Sequence, residues 1–130
     1  MAIQQSTTTR NRFRDAQSTA FPAGSVLDFR TGTPAGVGGA AGGSSLCSLT
    51  VPASPYTTGN GTLTKNGTWS ATTTATGTIG HYRWTSGSDI EEGTVTATGG
   101  GGDLTVDTVT VSAVGQTIEV TTMSFTAPYA

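Results

Sequence analysis

The side chains able to do chemistry in this 130-residue chain are few and far apart. His81 is the only histidine, between Gly80 and Tyr82 in TIGHYRWT. A general base works on a nucleophile or a second polar group within reach. The sequence offers no second histidine and no nucleophile at a strand-to-helix turn, so a structural or surface role is expected for His81. Cys47 is the only cysteine. In CSLTV it shares a face with Leu49 and Val51, which predicts a buried, inert thiol. One cysteine excludes an internal disulfide and fits a reducing compartment. Asp89, Glu91 and Glu92 crowd the segment SGSDIEEG. Carboxylates in a flexible loop suit calcium, but the spacing is not that of an EF-hand, and a solvated turn is expected. There is no Gly-x-Ser-x-Gly elbow, HExxH, phosphate loop or CxxC pair. The expectation is therefore no catalytic residue, no metal, no cofactor and no enzyme. Asn60-Gly-Thr and Asn66-Gly-Thr fit the glycosylation pattern but read better as tight turns. Trp69, Tyr82 and Trp84 sit at alternating strand positions. They suit either a sugar-binding platform or the core, and with nine aromatic residues in the chain the core has the stronger claim. What remains is a basic cluster, Arg10, Arg12 and Arg14 around Phe13.

These residues must be positioned by a backbone made largely of three residue types. Thr, Ser and Gly supply 59 of the 130 residues. Thr is β-branched and favours extended backbone, and Gly punctuates turns, so many short strands joined by tight turns are expected. Apolar residues are 34 % of the chain, which predicts a thin core. Only 11 % of residues are charged, less than a disordered chain usually carries. The net charge is −2 with six basic residues, too few for a phosphate-tracking stripe, so no nucleic-acid partner is expected. No apolar run reaches the length of a membrane span, and the first residues lack the apolar core of a secretory signal. Folding in a cytoplasm is expected.

The chain divides at about residue 24. Residues 1–24 form an N-terminal arm or short helix: Ser6 or Thr7 is a candidate N-cap, Phe13, Ala16 and Ala20 fall at helical spacing, and Pro22 and Gly24 end it. Residues 25–130 form a single domain in which period two takes over. Leu27 and Phe29 alternate with Asp28 and Arg30. A flexible Gly/Ala loop covers residues 31–45. The two Asn-Gly pairs mark turns around a very short TLTK strand, and TWSATTTATG is a long strand with Trp69, Ala71, Thr73 and Ala75 on one face. Tyr82 and Trp84 share a face with Gly80. In TIEVTTMSFT the apolar parity switches from Ile118 and Val120 to Met123 and Phe125, which predicts a bulge or two-sided burial. The sum is about eight strands, mostly antiparallel by loop length, in a jelly-roll-like β-sandwich.

The order of these segments resembles a family of small bacteriophage virion proteins encoded among head and tail genes. The residues that carry it are STTTRNRFRDA, LDFRTGTPA, TATGTIGHYRWTSGSDIEEGTV, GGDLTVDTVTV and GQTIEVTTMSFT, which together span nearly the whole chain. Each is mostly turn chemistry, and their order carries the likeness. The resemblance implies an antiparallel jelly-roll-like sandwich and a non-enzymatic structural role. The nearest functional analogue is the capsid decoration or cement protein, which binds the outside of the major capsid shell and bridges capsomers. The implied partner is the major capsid protein, with copies assembled as dimers or trimers on the exterior of the virion. A tail, collar or fibre component and a carbohydrate-binding module are the alternatives. The chain departs from the family at its N-terminus, where Ala-rich helical positions give way to Thr and Arg. An arm that orders on its partner through Arg10, Arg12, Phe13 and Arg14 is the expectation there.

Overall fold

The computed structural model describes residues 3–127. The N-terminal segment takes the helical of its two expected forms, α1 (Thr7–Ala20). Ser6 caps it with extended backbone, and its hydroxyl accepts the Thr9 amide at 3.2 Å. Three consecutive threonines are tolerated because they occupy the first turn, whose amides have no intrahelical partner to lose. The helix stops where the Phe21 amide returns to Gln17 O and Pro22 follows.

Among the described residues ten strands follow: β1 (Val26–Thr31), β2 (Ser45–Thr50), β3 (Tyr56–Gly59), β4 (Thr62–Lys65), β5 (Trp69–Thr72), β6 (Gly77–Ser86), β7 (Asp89–Ala97), β8 (Leu104–Val106), β9 (Thr110–Val111) and β10 (Thr117–Thr126). Eight of them hydrogen-bond in the order β2-β1-β6-β7-β8-β10-β4-β3, with β5 attached to β10 and β9 to β6. β5 and β4 pair with successive stretches of β10. Just beyond β5 the Thr74 amide donates to Leu46 O of β2 at 2.8 Å, so the sheet curls until its far parts meet. The result is an all-β, jelly-roll-like sandwich made from one curled sheet.

The pairing is antiparallel except at β7–β8, which run parallel with Val95 opposite Leu104. A parallel crossover usually takes a dozen or more residues, and here it takes residues 98–103. Four glycines make this possible. A Cβ on Gly102 would lie 2.8 Å from the Thr96 amide, and one on Gly100 would lie 2.7 Å from the Thr96 side chain.

Three bulges set which residues face inward. On β2, Cys47 lies opposite Phe29 and Ser45 opposite Arg30, which leaves Leu46 extra, and Leu46 and Cys47 are both buried. Arg30 lies opposite His81 and Thr31 opposite Ile79, which leaves Gly80 as the extra residue on β6. Gly80 therefore does not share the Tyr82–Trp84 face; it lets both Ile79 and Tyr82 point into the core. On β10, Val120 opposes Val106 and Thr122 opposes Thr105, so Thr121 is extra. That bulge is the cause of the parity switch: Ile118, Val120 and Met123 are all buried.

Asn60 and Gly61, at φ 52° and 72°, make the two-residue β3–β4 turn that Asn-Gly favours. Asn66-Gly67 does not make a hairpin. β4 and β5 never pair with each other, and the Asn66 side chain instead donates to Ser54 O and Tyr56 O. The long strand expected after it ends at Thr72, because the Thr73 amide turns to Gln116 O and that of Thr74 to β2.

The core is aromatic at its centre. Trp69, Tyr82 and Trp84 are each at most 2 % exposed. Phe21 stacks on Trp84 at 4.7 Å between centroids, and Trp69 meets Trp84 edge-on at 6.1 Å. The surface platform considered for these three residues is therefore not formed.

Candidate functional site

The helix docks on the β3–β4 turn and on β7 with an unusual stripe. Its only buried residue is Arg10. Of the apolar residues at helical spacing, Phe13 and Ala16 face outward and Ala20 alone packs against the core, so that spacing does not mark the docked face. The docked face is polar: Arg10, Asn11, Arg14 and Gln17, again at helical spacing. Arg10 Nε and Nη2 donate to Ala127 O at 3.3 and 3.0 Å. The Arg10 side chain lies across Gly61, where an added Cβ would sit 2.6 Å from the guanidinium carbon. Asn11 Oδ1 accepts the Gly61 amide at 2.6 Å. Arg14 Nη1 donates to Gln17 Oε1 at 2.7 Å, and Gln17 Nε2 donates to Glu91 Oε1 at 3.0 Å.

Glu91 lies on the inward face of β7, where it also accepts the Tyr82 hydroxyl at 2.8 Å. Burial pushes its carboxyl above the ordinary range. The Tyr82 and Gln17 hydrogen bonds and the Arg14 charge pull it back, and Asp103 adds to the rise. Burial, and then the Glu91 charge, drives the Tyr82 hydroxyl upward too. Tyr56, whose hydroxyl donates to Phe21 O, is raised by burial and by Glu91.

The four sequence-predicted residues are thus divided. Arg10 is bonded to the body of the same chain and Arg14 to Gln17 of its own helix, while Arg12 and Phe13 are exposed. A free arm does not describe this segment. Asn11, Gln17, Gly61, Tyr82 and Glu91 complete the docking face and were not singled out for it by sequence. The signal that marks the helix side is the Arg10–Arg14–Gln17 spacing.

On the opposite face of the sheet, residues 32–44 are pinned, against the expected flexibility. Arg30 donates to Gly42 O at 2.7 Å and pairs with Asp28 at 2.6 Å. Arg83 donates to Gly39 O at 2.8 Å, and Glu92 accepts the Gly36 amide at 2.8 Å. The start of this loop covers His81, whose Nδ1 lies 3.0 Å from Gly32 O. The Nε2 atom is buried without a protein partner. The acidic segment proves to be strand and not loop: a two-residue turn at Gly87-Ser88 leads directly into β7, and alternation sends Glu91 and Glu92 to opposite faces. Among the described residues no group of three His, Cys, Asp or Glu side chains is placed to hold a metal ion. Cys47 is buried, with its thiol pushed up to about 11 by burial and then by Asp28.

Two surface features complete the inventory. An open cleft of about 390 Å³ lies between Asp15 and Ser18 of α1 and Pro22, Pro55 and Tyr56. The hydroxyls of Thr98 just past β7, buried Thr105 on β8, and Thr121 and Thr122 on β10 form a connected chain with oxygens 2.6–2.7 Å apart. Comparison with family models, with curated proteins and with solved structures finds no match to this chain.

Proposed function

We propose that this chain is a non-catalytic structural subunit that docks in several copies on a larger protein assembly, with the outside of a bacteriophage head as the assembly to test first. The observation that carries the reading is how the polar groups are used. Arg10, Arg14, Arg30 and Arg83 each bind groups of the same chain, and the hydroxyls over β8 and β10 bind one another. A surface of pre-ordered, nearly uncharged hydroxyls on a rigid β body binds by shape and hydrogen bonding and loses little entropy on docking. Many weak contacts of that kind become strong when copies are repeated on a lattice. The jelly-roll-like sandwich is the architecture that the virion resemblance implies.

In this reading the major capsid protein is the partner, copies form dimers or trimers on the virion exterior, and Arg12 and Phe13 are the N-terminal residues placed to touch the shell. The test is copy number in purified particles, measured by mass spectrometry against the major capsid protein. A simple ratio to the capsid subunit supports a cement role. A handful of copies moves the protein to the neck, tail or fibre. Absence from the particle overturns the reading. The carbohydrate alternative would need a surface other than Trp69, Tyr82 and Trp84.

A further inference from the structure

The chain contains two Asn-Gly pairs, and each is locked differently. At Asn66-Gly67 the lock is the asparagine side chain: Nδ2 donates to Ser54 O and Tyr56 O, and Oδ1 accepts the Thr57 hydroxyl. None of these partners belongs to α1. At Asn60-Gly61 the lock is the glycine amide. Gly61 N–H donates to Asn11 Oδ1 of α1 at 2.6 Å, and the Arg10 side chain covers the same glycine. Asn60 itself is exposed.

We propose that Asn60 is a deamidation site that docked α1 holds shut. The reaction begins when the Gly61 amide loses its proton to solvent base. Its nitrogen attacks Asn60 Cγ, the side-chain amide nitrogen leaves as ammonia, and a five-membered succinimide forms. Water then opens the ring at either carbonyl to give aspartate or isoaspartate, with no oxidant or reductant involved. A proton held by Asn11 beneath Arg10 is not available to solvent base. When α1 lifts, the amide becomes free, because within the two-residue turn it is the Thr62 amide, not that of Gly61, that faces Gly59 O. Isoaspartate adds a methylene to the main chain, which a two-residue turn with Gly59 opposite Thr62 does not accommodate. The modification therefore records, irreversibly, which copies have released their helix. This inference stands independently of the proposed function.

The full-length chain is incubated in mildly alkaline buffer, and deamidation at Asn60 and Asn66 is followed by peptide-mapping mass spectrometry. In the wild type both sites are expected to be slow. Asn11→Ala is expected to speed Asn60 by about tenfold or more, as loss of a local closing contact would, with Asn66 unchanged. Asn11→Asp keeps an acceptor oxygen and is expected to stay near the wild-type rate. Arg10→Ala, which uncovers Gly61 from the other side, is expected to speed Asn60 alone. The proposal is overturned if wild-type Asn60 reacts as fast as it does in a peptide spanning residues 57–64, or if Asn11→Ala leaves its rate unchanged. A parallel rise at Asn66 in the variants also overturns it, because global unfolding and not the helix would then be the gate.

Discussion

Cys47 shows how far burial determines a side chain's chemistry. It is fully buried between Leu46 and Leu49 on the inward face of β2, and its thiol is raised to about 11. A thiol attacks as the thiolate, so both access and ionisation are withheld in the native state. Labelling with a thiol reagent at pH 8 is expected to track unfolding: no reaction in the native protein and full reaction in denaturant. Rapid native labelling would show that β2 opens locally. Gly80 is the second residue whose type is dictated by its neighbours. A Cβ there would lie 2.2 Å from Gly32 O, a backbone atom. Gly80→Ala is therefore expected to cost about 3 kcal/mol, at the upper end of ordinary overpacking. Gly38→Ala, which meets nothing within 4 Å, should stay within about 0.5 kcal/mol of wild type. Equal effects in urea melts would mean that the bulge and the loop over it yield easily.

At the scale of elements, α1 is joined to the sheet by polar pins and few apolar contacts. Three links cross from it to the body: Arg10 to Ala127 O, Asn11 to the Gly61 amide and Gln17 to Glu91. At about 1 kcal/mol each they contribute no more than about 3 kcal/mol, before the cost of ordering the helix. Phe21, just past the helix, is different because it stacks on Trp84 inside the core. Deleting residues 1–20 is thus expected to preserve the β fold and its near-ultraviolet tryptophan signal, with a loss of at most about 3 kcal/mol. Phe21→Ala in the full chain should cost as much or more, about 3–5 kcal/mol. Collapse of the truncated protein would mean that the helix belongs to the core. These elements also show what the sequence made legible. Period two found Leu27, Phe29, Cys47 and Leu49, and the parity switch in β10 located a bulge, because alternation is a local consequence of the pleat. Asn60-Gly61 read correctly as a turn because both residues supply positive φ themselves. Asn66-Gly67 carries the same dipeptide but is decided by partners at Ser54 and Tyr56, which no local pattern reveals. The docked face of α1 escaped for a related reason. An apolar stripe does not mark it, because the body offers it a carboxylate, a carbonyl and a glycine amide.

For the whole molecule, the consequence of that polar face is a dependence of stability on pH. Glu91 is drawn inward with Tyr82 on one oxygen and Gln17 on the other. Arg14 on α1 opposes its charge, while Asp103 and the raised hydroxyls of Tyr56 and Tyr82 face the same site. Desolvation outweighs the compensation, so the native carboxyl takes up a proton at higher pH than the ordinary 4.5 of the unfolded chain. Between the raised native value and 4.5 the folded state binds more protons than the unfolded state. Stability from this group therefore rises as pH falls through that window, the reverse of a carboxylate in a strong ion pair. Glu91→Gln removes the titration and retains an acceptor for the Tyr82 hydroxyl. The difference in unfolding free energy, wild type minus Glu91→Gln, is expected to grow more positive from pH 7.5 to pH 5 in urea melts. A difference that shrinks over that range would show Arg14 and the two hydrogen bonds outweighing burial, with Glu91 holding the helix as an anion. The direction also bears on α1. Gln17 and Arg14, the two α1 groups at this site, both favour the carboxylate, so protonation relieves the buried charge while weakening the contacts that the helix itself makes to Glu91.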